Sequence, residues 1–561
     1  MVPGWVLLLV SLGYVGVLFA VAYLGDVRAA RPRWRWLRPA IYALALAVYC
    51  SSWTFYGAVG TAARTGLGFV PIYLGPLLLL LFGWRILERL VLISGEHRIV
   101  SIADFLSSRY GRAPGLAALV ATVAVLAAVP YVALQFKAVA MSVEVLAPGS
   151  DAQLFADPAL YVALLLAALA ILFGTRAIDA TEHHRGMVLA VALESLVKLL
   201  AFLAIGVFAL LHLPGDGGFM ARISAAGDVV SAPGLPAGFV AQTLIAFAAI
   251  VCLPRQFHVA VVECQDVADL RPARWLFGGY LVLFSLFVVP ITLAGQSVLA
   301  GHGASPDTYV LALPLALGRE SLALLAYIGG FSAATGMVIV ASVALATMVS
   351  NDLVMPLLLR GRALTEGGID RLVLWVRRAT ILALALMAYA YHRMAAAAGD
   401  SLAQYGLLSF AAVAQFAPAT LGGLYWKGAT RAGAFAGLSA GFAVWLYTLL
   451  LPSFAKSGWL PETFVSAGPF GIALLKPYAL FGLAGLSDIT HAMLWSMLAN
   501  VGAYVGVSLM TVQSAAEQAQ AAQFVDVYRH ATGEPGVHAW KGTAAVSDLE
   551  ALLGQFLGRT R

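Results

Sequence analysis

The sequence predicts an all-α integral membrane protein with about thirteen transmembrane helices. Three observations predict it. Hydrophobic residues make up 61% of the 561, charged residues only 11%, and the mean hydropathy is +0.88. Apolar runs recur along most of the chain instead of gathering in one anchor. Arginine and lysine fall in alternate loops between those runs, as a chain that crosses a bilayer repeatedly requires. The formal net charge of +6 therefore reads as topology and gives no sign of nucleic-acid binding. The cysteines Cys50, Cys252 and Cys264 lie in or beside apolar runs, so neither a disulfide framework nor a paired-cysteine metal site is expected, and no cofactor.

The runs fall at roughly 4–24, 39–60, 67–90, 114–146, 158–174, 186–211, 238–258, 273–299, 319–356, 371–394, 401–424, 430–452 and 488–511. The first has no charged leader and no small-residue cleavage site after Met1 to Ala22, which predicts a retained helix. Loop 25–38 carries Arg28, Arg31, Arg33, Arg35 and Arg38, and 91–113 carries Arg98, Arg109 and Arg112. By contrast 147–157 and 300–318 contain no Lys or Arg. This places the N-terminus outside and the C-terminus in the cytoplasm.

The second run is organised as a span with a breakable half. Pro39 to Gly66 begins as ordinary apolar helix, then meets Cys50, Ser51, Ser52, Trp53, Thr54, Tyr56, Gly57 and Gly60. Either the helix breaks there to make a site, or it ends in an interfacial aromatic belt. The seventh run is interrupted at Cys252, Leu253 and Pro254, followed by Arg255, Gln256 and His258. With the first run set aside, spans two to six and seven to eleven form two sets of five, each opened by a damaged helix. An odd number inverts the second set, and paired broken helices in inverted repeats point to a midplane solute site. The plainer alternative is that Pro254 ends a short helix. Exposed N–H groups at such breaks suit a carboxylate, so Ser51, Ser52, Trp53, Thr54, Arg255, Gln256 and His258 are the candidate solute-binding residues, and an amino acid is expected over a sugar.

Ionisable residues inside spans are costly and are functional candidates by default. Glu194 and Lys198 lie four apart, on one helix face, and either neutralise each other as an internal salt bridge or serve a proton or solute path. Lys137, with Gln135 before it, can snorkel from a helix end. In the ninth run Gly329 with Ala333 and Ser332 with Gly336 repeat small residues at four-residue spacing, which permits close approach to the broken second span. In the eleventh and twelfth, glycines 422, 423, 433, 437 and 441 do the same for packing.

Three stretches resemble a known family. Ser101 to Arg112, SIADFLSSRYGR, is similar to the T-I-P-E-F-L-x-x-R-F-G stretch of the sodium/solute symporter family. Gln415 to Gly441, QFAPATLGGLYWKGATRAGAFAGLSAG, resembles its P-x-x-x-G-x-x-W-K/R-x-x-T-x-x-G-A-x-x-G signature. Phe173 to Gly186, FGTRAIDATEHHRG, sits where the family has G-G-x-x-A-x-x-x-T-D-x-x-Q. The resemblance implies a leucine-transporter-like inverted repeat of five plus five helices behind one extra helix. It implies ion-binding carbonyls at Ala47 and Cys50 and ninth-span ion positions at Ala333, Gly336 and Met337. In sodium-coupled members the latter two carry hydroxyls; here they do not, and Thr335 would serve only after a one-residue shift in register. Tyr49 replaces a family carboxylate, and Glu182 aligns with the family aspartate on the ion exit path. The departures lead us to expect sodium-independent, proton-coupled transport, with Glu182 or the Glu194–Lys198 pair as carrier and Na+ the alternative ion.

After Val512 the chain turns polar. Residues 1–512 are expected to form the membrane domain and 513–561 a cytoplasmic linker segment, with a helix over Gln513 to Gln523 and an amphipathic one over 549–557. This tail resembles the family variant fused to bacterial sensor histidine kinases. That implies the bacterial inner membrane, and a kinase module in cis or in trans as partner beside the solute and the lipid bilayer. No kinase histidine box, ATP-binding glycine motif or nucleophile–base set is present, so no enzyme is expected. The expected function is transport or sensing of a small organic solute that feeds a sensor-kinase pathway, the alternative being a receptor that does not translocate.

Overall fold

A computed structural model describes residues 3–28, 36–148, 157–174, 185–213, 235–301, 303–358, 366–395, 399 and 401–528. Helices are the only regular elements among them, as lipid requires of a backbone that must satisfy its own polar groups. In chain order they are α1 (Gly4–Arg28), α2 (Arg38–Leu46), α3 (Ala58–Thr65), α4 (Pro71–Phe82), α5 (Trp84–His97), α6 (Ile102–Arg109), α7 (Pro114–Leu146), α8 (Pro158–Gly174) and α9 (Arg185–Leu211). Then follow α10 (Phe239–Cys252), α11 (Pro254–Phe257), α12 (Leu270–Leu286), α13 (Val288–Val298), α14 (Tyr309–Ala316), α15 (Glu320–Met348), α16 (Met355–Leu358) and α17 (Glu366–Ala395). The chain closes with α18 (Leu402–Val413), α19 (Ala417–Tyr425), α20 (Arg431–Trp445), α21 (Leu451–Lys456), α22 (Thr463–Ser466), α23 (Asp488–Met510) and α24 (Ala515–Val525).

Among the described residues nine helical stretches are long and apolar enough to cross a membrane, or eleven if each of two bent pairs counts as one. The remaining two expected spans, 67–90 and 158–174, correspond to shorter apolar helices, Pro71–Phe82 and Ala159–Phe173. In the first, Gly83 ends the helix and the chain restarts at Trp84. Both bent pairs fall where the sequence is interrupted. Arg38–Tyr49 and Trp53–Phe69 meet at 71°, and Phe239–Cys252 and Pro254–Val262 at 51°.

Close helix approach rests on small residues, because side-chain packing is what holds helices together in lipid. A Cβ on Gly75 of α4 would lie 2.5 Å from the Phe247 amide nitrogen and 2.6 Å from Ala246 Cβ of α10. A Cβ on Gly437 of α20 would lie 2.6 Å from Tyr504 Cβ and 2.7 Å from the Asn500 carbonyl of α23. The small residues of α15 turn out to face α9 as much as the broken span. A Cβ on Gly329 would meet Ala201 Cβ of α9 at 2.6 Å and Phe55 Cζ at 2.8 Å.

The chain divides into two units, 1–525 and 526–561. Of the second, only 526–528 are described, and the helix expected at 549–557 lies outside the described residues. Within the first, α24 docks where α6, α19 and α20 meet. Gln513 Nε2 donates to the carbonyls of Lys427 and Ala429, both at 2.7 Å, and the Phe524 ring lies 5.0 Å from His97 and 5.4 Å from Phe105. Beside it the fully buried Arg109 donates to the carbonyls of Gly423 (2.8 Å) and Trp426 (2.9 Å), which the end of α19 leaves without helical partners.

Candidate functional site: two broken helices facing each other

Each break has its own local cause. After α2 the chain tightens into a 3₁₀ turn, Ala47–Tyr49, and Cys50 becomes extended (φ −75°, ψ 99°) before helix resumes through a π turn at Trp53–Gly57. No proline is involved; Ser51 and Thr54 supply local side-chain bonds that compete with the helix ladder. Thr54 Oγ1 donates to the Ser51 carbonyl at 2.8 Å. At the second break Leu253 is extended (φ −65°, ψ 127°), the conformation a following proline imposes.

The groups freed by the first break find partners on three other elements. Gln256 Nε2, from the second break, donates to the Leu46 carbonyl at 3.1 Å, which joins the two interruptions directly. Lys198 Nζ of α9 donates to the carbonyls of Ala47 (2.8 Å) and Cys50 (2.6 Å). The Ser52 amide donates to Gln135 Oε1 of α7 at 3.3 Å, and Ser51 Oγ shares a 2.6 Å hydrogen bond with the Tyr131 hydroxyl. All of these residues are buried.

Helical spacing suggested an ion pair between Glu194 and Lys198, and the structure corrects this. Among the described residues no bridge within 4.0 Å joins them. Lys198 reaches the broken span, while Glu194 Oε1 accepts from Thr335 Oγ1 of α15 at 2.6 Å and its backbone carbonyl from Ser332 Oγ at 2.8 Å. The long lysine stem lets its head leave the shared face that the spacing defines. Gly336 faces the same carboxyl group, and a Cβ there would lie 3.1 Å from Glu194 Cδ. Ala333 is buried one turn before, and Glu182 lies outside the described residues.

A cavity of about 610 Å³ opens beside the first break, a size that suits a small organic ligand. Trp53, Phe69, Ile72, Lys137, Gln404 and Phe410 line it, and the Arg64–Asp307 ion pair (2.6 Å) stands at its wall. Thr65, Ala237, Ser305 and Ser401, at or beside the starts and ends of helices, also line it. Aromatic rings form its floor. Trp53 meets Phe410 edge-on at 5.0 Å, Phe410 stacks on Tyr131 at 5.3 Å, and the Arg255 guanidinium lies 4.2 Å from the Tyr131 ring on the far side. Gly406 makes room for this floor, since a Cβ there would lie 2.7 Å from Trp53 Cδ2.

Behind the floor lie buried polar atoms with no hydrogen-bond partner among the described residues: Arg255 Nε and Nη2, Ser52 Oγ, Gln256 Oε1 and Ser409 Oγ. The void beside Arg255 measures about 20 Å³, room for one water at most. Of the candidate solute residues, only Trp53 lines the outer cavity. Ser51, Ser52, Thr54, Arg255 and Gln256 gather beneath it, and His258 turns instead to Glu263 at 3.3 Å.

Sequence reasoning missed Tyr131, Gln135, Phe410 and the Arg64–Asp307 pair, and set Lys137 aside as a snorkelling residue. Lys137 in fact lines the cavity, with Nζ 5.1 Å from the Tyr405 ring centroid. Its position well inside a 33-residue helix was the available signal.

No family model matches the chain, and no curated protein matches it. Among solved structures, the fold is similar to that of a Na+-coupled sialic acid symporter in a substrate-bound outward-open state. Identity is 12%, the match covers 90% of this chain and 98% of that one, and the TM-score is 0.62. A manganese transporter of Eremococcus coleocola matches at 14% identity over 88% of this chain and 97% of that one, with a TM-score of 0.44. The first likeness establishes the fold, that of an all-α membrane protein.

Proposed function

We propose that the chain carries a small organic solute, an amino acid, across the bacterial inner membrane, N-terminus outside and C-terminus in the cytoplasm. The supporting observation is the set of unpaired buried atoms where the two breaks face each other. Leaving such atoms without partners is costly, and a solute with a carboxylate and an ammonium would satisfy them. Arg255 offers two N–H donors for the carboxylate; Ser52 Oγ and Gln256 Oε1 offer acceptors for the ammonium. The outer cavity is the access path, and displacement of the Trp53–Phe410–Tyr131 floor would admit the solute to the seat beneath. Transport on this reading is sodium-independent and proton-coupled, with Glu194 or Lys198 as carrier and Glu182 as the third candidate.

The docking of α24 on α6 and α19 favours a second reading. A receptor would bind the solute without moving it and pass its occupancy through α24 to a kinase module, in cis or in trans. Uptake of labelled amino acids into proteoliposomes separates the two, because a carrier accumulates solute beyond the protein present and a receptor only binds it stoichiometrically. Saturable binding of hexoses alone would refute the amino-acid assignment. Trp53→Ala should weaken binding, since it removes the aromatic wall of the access path.

A further inference from the structure

We propose that Lys198 is a built-in cation, and that its ammonium holds the carbonyl pair at which a mobile coupling ion would otherwise sit. This deepens the carrier reading and rests on it only for its consequence in uptake. Helix breaks free backbone carbonyls, and freed carbonyls in a membrane protein are natural cation ligands. Here the freed pair is Ala47 and Cys50, and both oxygens point at one Nζ, at 2.8 and 2.6 Å. The ammonium is 2% exposed and reaches them from α9, a different element. Two charge-assisted bonds of this length offset part of the cost of burying the charge.

The opposite wall adds little for a metal cation. A sodium ion needs a shell of oxygen ligands, and α15 presents Ala333 and Gly336, which have no side-chain oxygen. Its Thr335 and Ser332 hydroxyls donate to the carboxyl group and the backbone carbonyl of Glu194, which turns both toward α9. The other groups that face the ammonium are Glu194 on its own helix, the Cys50 thiol on the broken span and Arg255 on α11. Tyr14 of α1 faces Glu194 from behind, through Ser332. Lys198 thus has one carboxyl group and a second cation, Arg255, beside it, and a further cation would meet net positive charge.

The consequence is that the positive charge at this site cannot leave with the solute. It can only withdraw on its stem or pass a proton to a neighbour. Sodium then has no role in holding the broken helix together.

The test needs no solute. Thermal unfolding of the purified full-length chain is compared in sodium chloride and in choline chloride at equal ionic strength, with ²²Na+ binding measured beside it. The wild-type midpoint should be the same in both salts and ²²Na+ binding should stay at background. A saturable sodium-dependent rise in the wild-type midpoint, or stoichiometric ²²Na+ binding, would overturn the proposal, and neither result depends on a variant folding. Lys198→Ala opens the site. Its midpoint should fall, and sodium or ethylammonium should restore it while choline, too large for the carbonyl pair, should not. If Lys198→Ala does not fold, Lys198→Met, which keeps the stem and removes the charge, takes its place with the same comparison. A variant that is as stable as wild type in choline would show that Lys198 merely fills space, and would equally overturn the proposal. Failure of the carrier reading shows up separately, as absent uptake in either salt with these stability results unchanged.

Discussion

Thr335 Oγ1 lies 2.6 Å from Glu194 Oε1, a single bond that ties α15 to α9. The other carboxyl oxygen, Oε2, has no partner among the described residues. Thr335→Val keeps the shape and removes the donor, leaving the whole buried carboxyl group unsatisfied. Such a loss costs about 1–3 kcal/mol, more if the group is charged. The unfolding midpoint in detergent should fall accordingly, and Thr335→Ser should recover most of the loss. A Thr335→Val protein as stable as wild type would show that the bond contributes nothing.

Gly406 is where α18 gives way to Trp53. Any Cβ at this position enters the indole ring, so Gly406→Ala must displace Trp53 or shift α18. Overpacking of this kind costs about 1–3 kcal/mol. We expect the larger effect on solute affinity, because the ring closes the floor of the cavity. Equilibrium binding and thermal stability measured on the same preparation check this, and unchanged binding would mean that the floor tolerates the shift.

How far these features could be read from the sequence depends on whether the signal is local. The Pro254 break was legible because proline acts on the residue before it and on the preceding turn. The Ser51–Thr54 break was legible as composition, though its partners were not: Gln135, Tyr131, Lys198 and Gln256 come from elements 80 to 210 residues away. Spacing put Glu194 and Lys198 on one face and suggested that they pair, since helical periodicity locates a Cβ but not the head of a four-carbon stem. The glycines of α20 read correctly as packing residues because close approach leaves its mark in the glycine itself. Arg64, in the last turn of α3, and Asp307, in the 3₁₀ turn before α14, carry no mark that links them.

Arg109 is fully buried and bridges two carbonyls, Gly423 at 2.8 Å and Trp426 at 2.9 Å, where α19 ends. The two bonds come from two nitrogens, Nε and Nη2, held apart in a planar fork, and the single Nζ on a shorter lysine stem cannot take both places. Arg109→Lys should therefore leave one carbonyl unsatisfied and destabilise the chain by about 1–3 kcal/mol. Thermal unfolding reads the shift. Equal stability of the lysine variant would assign the bridge to charge alone.

Glu517 gives the attachment of α24 a pH dependence of definite sign. Burial pushes its carboxyl group upward, but hydrogen bonds from the Ser514 and Arg431 amides, from the Ser514 hydroxyl and the nearby Arg431 charge outweigh burial and hold it below the ordinary glutamate value. Its Oε1 accepts from the Arg431 amide at 2.6 Å and its Oε2 from the Ser514 amide at 2.8 Å. A carboxyl group whose pKa is lower in the folded state stabilises that state above its unfolded value, ~4.3, and the contribution is lost as pH falls through the folded value. Docking of α24 should thus be intact at neutral pH and weaken on acidification below ~4.3. Limited proteolysis in the 513–528 segment across that range measures it, using an acid-tolerant protease. Glu517→Gln should raise cleavage at neutral pH and flatten the pH response, whereas an identical profile in the two proteins would show that Glu517 does not hold the helix.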